Sequence, residues 1–152
     1  MADVSEDTPS RLVPVPNAML VAVDFSPASL RALDVALSWR SAEADVTVLH
    51  VVDTALAARV NDLGVCSLAE ATARQRARAE RELAALAKCG RFDPMIVEGV
   101  PFAEVIKVAA DLECDLIVVG IRGEAGGLNQ LLFGSTAEKI LRGASQAVLC
   151  VP

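Results

Sequence analysis

Aromatic side chains are scarce in this sequence, at 3% of residues, although 53% of the residues are hydrophobic. A core built on stacked rings is therefore excluded. It has to be assembled from Ala, Val and Leu, which suits helices packed on a parallel sheet. Positive charge is also short: the formal net charge is −6. That excludes a nonspecific nucleic-acid or acidic-membrane binder, whose affinity needs a basic face. The cysteines Cys66, Cys89, Cys114 and Cys150 show no CxxC spacing, so no zinc site or thioredoxin-like redox pair is indicated. They read as structural thiols of a reducing cytosol. No apolar run approaches membrane-spanning length, and the opening MADVSEDTPSR lacks the charged-then-apolar order of a signal peptide. A soluble, cytoplasmic protein is expected. The single histidine, His50, follows no nucleophile elbow, so no hydrolytic triad can be assembled. GxxxxGK[ST] is absent as well, which leaves no P-loop lysine to reach a γ-phosphate.

What is present is an alternation of short apolar runs with helical periods. At 152 residues the chain is most simply one α/β domain over 18–152. A flexible arm over 1–17, carrying three prolines, precedes it. Ala18 to Val23 predicts a first, buried strand ended by Asp24. Ser26 as N-cap and Pro27 at the first helical position then open a helix to about Arg40, with Leu30, Leu33, Ala36 and Leu37 on its apolar face. Trp39 is expected to pack at its end. Val46 to Val52 predicts the second strand, and Asp53 to Ser67 reads as irregular. An alanine-rich helix of up to about six turns follows, with Gly90 placed to stop it. Its Arg74, Arg76, Arg78 and Arg81 are interleaved with Glu80 and Glu82, which suggests a solvated outer face. Met95 to Glu98 predicts a third strand. Phe102, Val105, Ile106, Ala109 and Ala110 then keep helical spacing, Asp115 to Gly120 forms a fourth strand, and Ala147 to Val151 closes the sheet.

The stretch DLIVVGIRGEAGGLNQLLFGSTAEKIL, from Asp115 to Leu141, carries the functional signal. An apolar strand ends at Gly120, a loop with four further glycines follows, and Gly134-Ser135 opens a helix. Unpartnered N–H groups and a positive dipole end at such a helix hold phosphate without a cationic side chain. Arg122 is the obvious local cation. If the first three strands wind one way and the last two the other, the reversal brings Asp24 against Gly120, and ligands bind at such a reversal.

AVDFSPASLRALDVAL, TVLHVVD, GVPFAEVIKVAADLECDLIVVGIRG and FGSTAEKILRGASQAVLCVP resemble successive blocks of the universal stress protein family, over about Met19 to Val151. The resemblance implies an adenine nucleotide alpha hydrolase-like fold, a doubly wound parallel sheet of order 3-2-1-4-5 with helices on both faces. It implies a homodimer through the last strand, Ala147, Val148, Leu149, Cys150 and Val151. It also implies ATP, with Mg²⁺ held through the phosphates and no protein metal ligands. Carried over by position, Ala22, Val23 and Asp24 fall near the adenosine, Val51 against the adenine, and Val119 and Gly120 beside ribose and base. Gly123, Gly134, Ser135 and Thr136 fall around the phosphates, with Arg122 beside them. The family signature is G-x2-G-x9-G-[ST]; here ten residues separate Gly123 from Gly134, one more than the pattern, and Gly126-Gly127 lies where a bulge can absorb it.

Each residue also has a plainer use. Asp24 either binds ribose or base, or satisfies N–H groups at the start of the first helix. Ser135 either donates to phosphate, or forms a capping box with Glu138. His50 reads as a packed strand-end residue rather than a base. A Cβ at Gly120 or Gly123 is expected to intrude where backbone meets phosphate. The function indicated is an ATP-binding sensor or switch of the stress response, with at most slow hydrolysis or autophosphorylation and a signalling partner of unknown kind. The alternative is a nucleotide-free dimerisation module in which the extra loop residue has closed the pocket.

Overall fold

The computed structural model describes residues 15–121 and 134–152. The described elements are β1 (Ala18–Ala22), α1 (Pro27–Trp39), β2 (Asp45–Asp53), α2 (Thr54–Asp62), α3 (Leu68–Leu86), β3 (Asp93–Gly99), α4 (Pro101–Asp111), β4 (Leu116–Gly120), α5 (Ser135–Gly143) and β5 (Ala147–Val151). The strands form one parallel sheet in the order β3-β2-β1-β4-β5. The doubly wound sheet expected from the sequence is therefore the fold. Of the expected N-terminal arm, residues 1–14 lie outside the described residues. Asn17 is already tied in, because its N–H and that of Ala18 donate to the Asp115 carboxylate at 2.7 and 3.1 Å.

β1 is central, and Met19, Leu20 and Val21 are buried on both sides of it. One core layer joins Met19, Val21, Val48 and Val118 to α1 and to Leu83 of α3. The other joins Leu20, Leu49, Ile117 and Val119 to α4 and α5. Alternate strand residues therefore feed opposite layers, which is what strands covered on both faces require. On α1 the residues turned to the sheet are small: Ala28, Ser29, Ala32 and Ala36, with Leu33. Ser26 caps this helix as expected, its hydroxyl accepting from the Ser29 N–H at 3.2 Å, with Pro27 at the first position.

Several local expectations need correction. The stretch after Asp53 is not irregular: it contains α2, whose N-cap Asp53 accepts from the N–H groups of Ala55 and Leu56 at 2.9 and 3.1 Å. The α3 helix ends at Leu86, before Gly90. Gly90 lies against Leu37, whose Cδ1 a Cβ there would approach to 2.6 Å and displace. Trp39 is covered only in part at the end of α1, being 63% exposed. On α4 the buried positions are Val105, Val108 and Ala109, and Ala110 is exposed. β3 extends back to Asp93 and includes Pro94, which an edge strand tolerates because one side of it makes no ladder bonds.

Candidate functional site

A cleft of about 360 Å³ opens at the C-terminal ends of β2, β1 and β4. Its floor comes from β1 and the turn beyond it. Val23 is held to the second strand by its N–H, which donates to the Leu49 carbonyl at 2.9 Å. The chain then turns through Asp24 and Phe25 into α1. Asp24 Oδ1 accepts from the Ser26 N–H at 3.0 Å, and the Asp24 N–H donates to Ser29 Oγ at 3.3 Å. The plainer use of Asp24, as a turn residue at the helix start, is thus present, and the residue still lines the cleft. Phe25 takes a left-handed φ of 65°, uncommon without glycine. Its ring stacks on His50 at 4.8 Å between centroids. His50 Nδ1 lies 2.8 Å from the Val23 carbonyl oxygen. The histidine is a packed strand-end residue and a lining residue at once.

The opposite wall is made where β4 stops. The N–H of Ile121 donates to Val151 O at 2.7 Å, and Gly134 N–H donates to Ile121 O at 2.6 Å. The chain therefore returns to the end of β4 before α5 begins, and the α5 N-terminus is fixed against the cleft. Gly134, not Ser135, is the N-cap, and no side chain caps this helix. The expected Ser135–Glu138 capping box is not formed: with Ser135 at the first helical position, Glu138 falls at the fourth and pairs with Arg142 at 3.0 Å. The N–H groups of Ser135, Thr136 and Ala137 have no hydrogen-bond partner among the described residues. These amides and the dipole behind them make that wall attractive to an anion.

The structure brings nine of the expected site residues to this one cleft: Ala22, Val23, Asp24, Val51, Val119, Gly120, Gly134, Ser135 and Thr136. Arg122, Gly123 and the Gly126-Gly127 pair lie outside the described residues. Gly120 is also constrained by packing within the protein itself. A Cβ there would meet the Ala28 carbonyl carbon and the Ser29 nitrogen, each at 2.7 Å, so the glycine lets α1 close on β4.

The model of the universal stress protein family matches residues 17–152. The chain belongs to that family. A universal stress protein of Thermus aquaticus, encoded in the 3′ region of a QAH/OAS sulfhydrylase, is 33% identical over 140 residues, which cover 89% of this chain and 98% of that one. Among solved structures, the hypothetical protein MJ0577 of Methanocaldococcus jannaschii superposes with a TM-score of 0.79 at 24% identity, covering 91% of this chain and 96% of that one. A universal stress protein solved in complex with cAMP superposes at 0.58 with 25% identity, covering 91% and 98%.

For this universal stress protein, sequence reasoning missed one whole wall of the cleft. Leu56 of α2, Gln75, Arg78 and Ala79 of α3, and Pro101 and Val105 of α4 line it beside β2. Arg76 does sit on an exposed face, pairing with Glu80 at 3.4 Å and Glu98 at 3.2 Å. Arg78 is exposed, as expected of the solvated cluster, and also lines the cleft. The available signal was the four-residue spacing of Ala71, Ala79 and Leu83, the buried residues of α3, which puts position 75 on the same stripe. Among the described residues no group of three His, Cys, Asp or Glu side chains is placed to hold a metal ion. No helix among them is long and apolar enough to cross a membrane.

Proposed function

We propose that the cleft binds an adenine nucleotide, ATP with Mg²⁺ held through its phosphates, and that the protein acts in the cytoplasm as a sensor or switch of the stress response. The observation that carries this reading is the convergence, on one cleft, of the uncapped α5 N-terminus with Asp24, Val51 and the apolar ends of the central strands. Phosphate suits the first; a sugar and a flat base suit the second. The cleft's 360 Å³ is within the range of small-molecule sites, roughly 300–1,000 Å³. The relative solved with cAMP supports a ligand of the same chemical class. The protein is further proposed to be a homodimer paired through β5, whose outer edge has no partner strand among the described residues. Nucleotide occupancy at the α5 N-terminus, two elements from that edge at most, would bias the affinity for a signalling partner.

Thermal denaturation with ATP and with GTP tests the ligand. ATP at a hundredfold excess over its Kd should stabilise the fold by about 2.7 kcal/mol, by mass action, with a smaller effect of GTP. No shift at millimolar ATP, with no copurifying nucleotide, would favour the nucleotide-free dimerisation module.

A further inference from the structure

The buried stripe of α3 steps by four through Ala71, Ala79 and Leu83, and the slot between the first two is filled by Gln75. An amide is out of place there. Alanine or leucine would continue the stripe, and alanine would favour the helix more, so the pattern of α3 gives no reason for a polar group. Gln75 is half-buried, lines the cleft, and has no hydrogen-bond partner among the described residues.

Its place along the cleft defines what it would meet. The anion-attracting wall is the α5 N-terminus at the end of β4, whereas α3 packs over β2 and β3. β2 and β4 flank β1, and α3 and α5 cover opposite faces of the sheet, so these two walls stand on either side of the strand ends and two strand spacings, roughly 10 Å, apart along the sheet. A nucleotide with phosphates at α5 therefore brings its base beneath α3, between apolar Val51, Leu56 and Ala79. A glutamine amide offers one acceptor and one donor side by side, which matches the 6-amino group of adenine and its neighbouring ring nitrogen.

We propose that Gln75 reads the base, its amide oxygen accepting from the exocyclic 6-amino group. This rests on the nucleotide reading above and adds a specificity determinant to it. The experiment compares ATP with purine riboside 5′-triphosphate, which lacks the 6-amino group, by calorimetric titration of the full chain. The wild type should prefer ATP by about tenfold, the worth of one hydrogen bond at a partly dry site. Gln75→Leu should bind both ligands equally at the weaker affinity, with a melting temperature no lower than wild type because leucine continues the stripe. Gln75→Ala, matching Ala71 and Ala79, should do the same if leucine crowds the cleft. A preference for ATP that survives both substitutions, or a wild type that binds both ligands equally well, would overturn the assignment to Gln75 and leave nucleotide binding standing. A wild type that binds neither would overturn both.

Discussion

At Gly120 a single hydrogen atom in place of a side chain is what allows the first turn of α1 to lie on the end of β4. A Cβ would stand 2.7 Å from backbone atoms of both Ala28 and Ser29. Backbone cannot move aside as a flexible side chain can. Gly120→Ala should therefore destabilise the fold by about 1–3 kcal/mol, the usual cost of overpacking, as measured by urea denaturation without ligand. A loss of nucleotide binding in that variant would report on folding as well as on the cleft. The cysteines offer a second check at this scale. Burial pushes the thiols of Cys114 and Cys150 above the ordinary value of 9.0, Cys114 also through the Asp115 charge, while Cys89 is exposed. A thiol reagent at neutral pH should consume Cys89 rapidly, Cys150 slowly, and Cys114 only on unfolding. Much at this scale was legible: the Ser26 cap follows from residue chemistry alone, and nine residues expected at the site line one cleft. The competing uses of Ser135 were not legible, because a one-residue shift in helix start decides whether Glu138 meets the cap or Arg142.

Among the elements, the strands were the most readable, since uninterrupted apolar runs such as Leu116 to Val119 have no other use in a chain covered on both faces. The α2 helix was hidden. Its nine residues bury only Ala57, so the periodic signal is weak and the cap at Asp53 is the main cue. The α3 helix begins with a full capping box, Ser67 Oγ accepting from the Glu70 N–H at 3.2 Å and Glu70 Oε2 accepting from the Ser67 N–H at 3.0 Å. The Ser67 N–H, then the Ser67 hydroxyl, hold the Glu70 carboxyl below its ordinary 4.5; desolvation opposes them and Arg74 adds to them. A carboxyl depressed in the fold stabilises above its unfolded pKa, and that contribution is lost as pH falls through the folded value. Glu70→Ala should therefore lower the melting temperature at neutral pH, and the difference from wild type should vanish in acid once Glu70 is protonated. Ser26→Ala, which removes the α1 cap, should cost about 1 kcal/mol at every pH.

On the scale of the whole molecule, strand order was readable through right-handed crossovers and the family resemblance, and the site followed from the reversal between β1 and β4. What could not be read was the wall supplied by α2, α3 and α4. It depends on how α2, α3 and α4 lean together over the end of β2, which the apolar period of each helix does not encode. The open edge of β5 belongs to this scale too. Sedimentation should show a dimer, and Leu149→Arg should give monomer or insoluble protein; a soluble dimer unchanged by that substitution would refute pairing through β5. Leu149 also packs against the α1-side core, so unfolding should be followed alongside.

The central claim is that the uncapped start of α5 and the far ends of β1 and β2 hold one ligand between them. Amide chemical shifts recorded during an ATP titration test it most directly. Saturable shifts are expected together at Ser135, Thr136 and Ala137 on one wall and at Asp24 and Val51 on the other, with a common Kd. Unmoved amides at millimolar ATP, or shifts confined to residues away from the cleft, would contradict it.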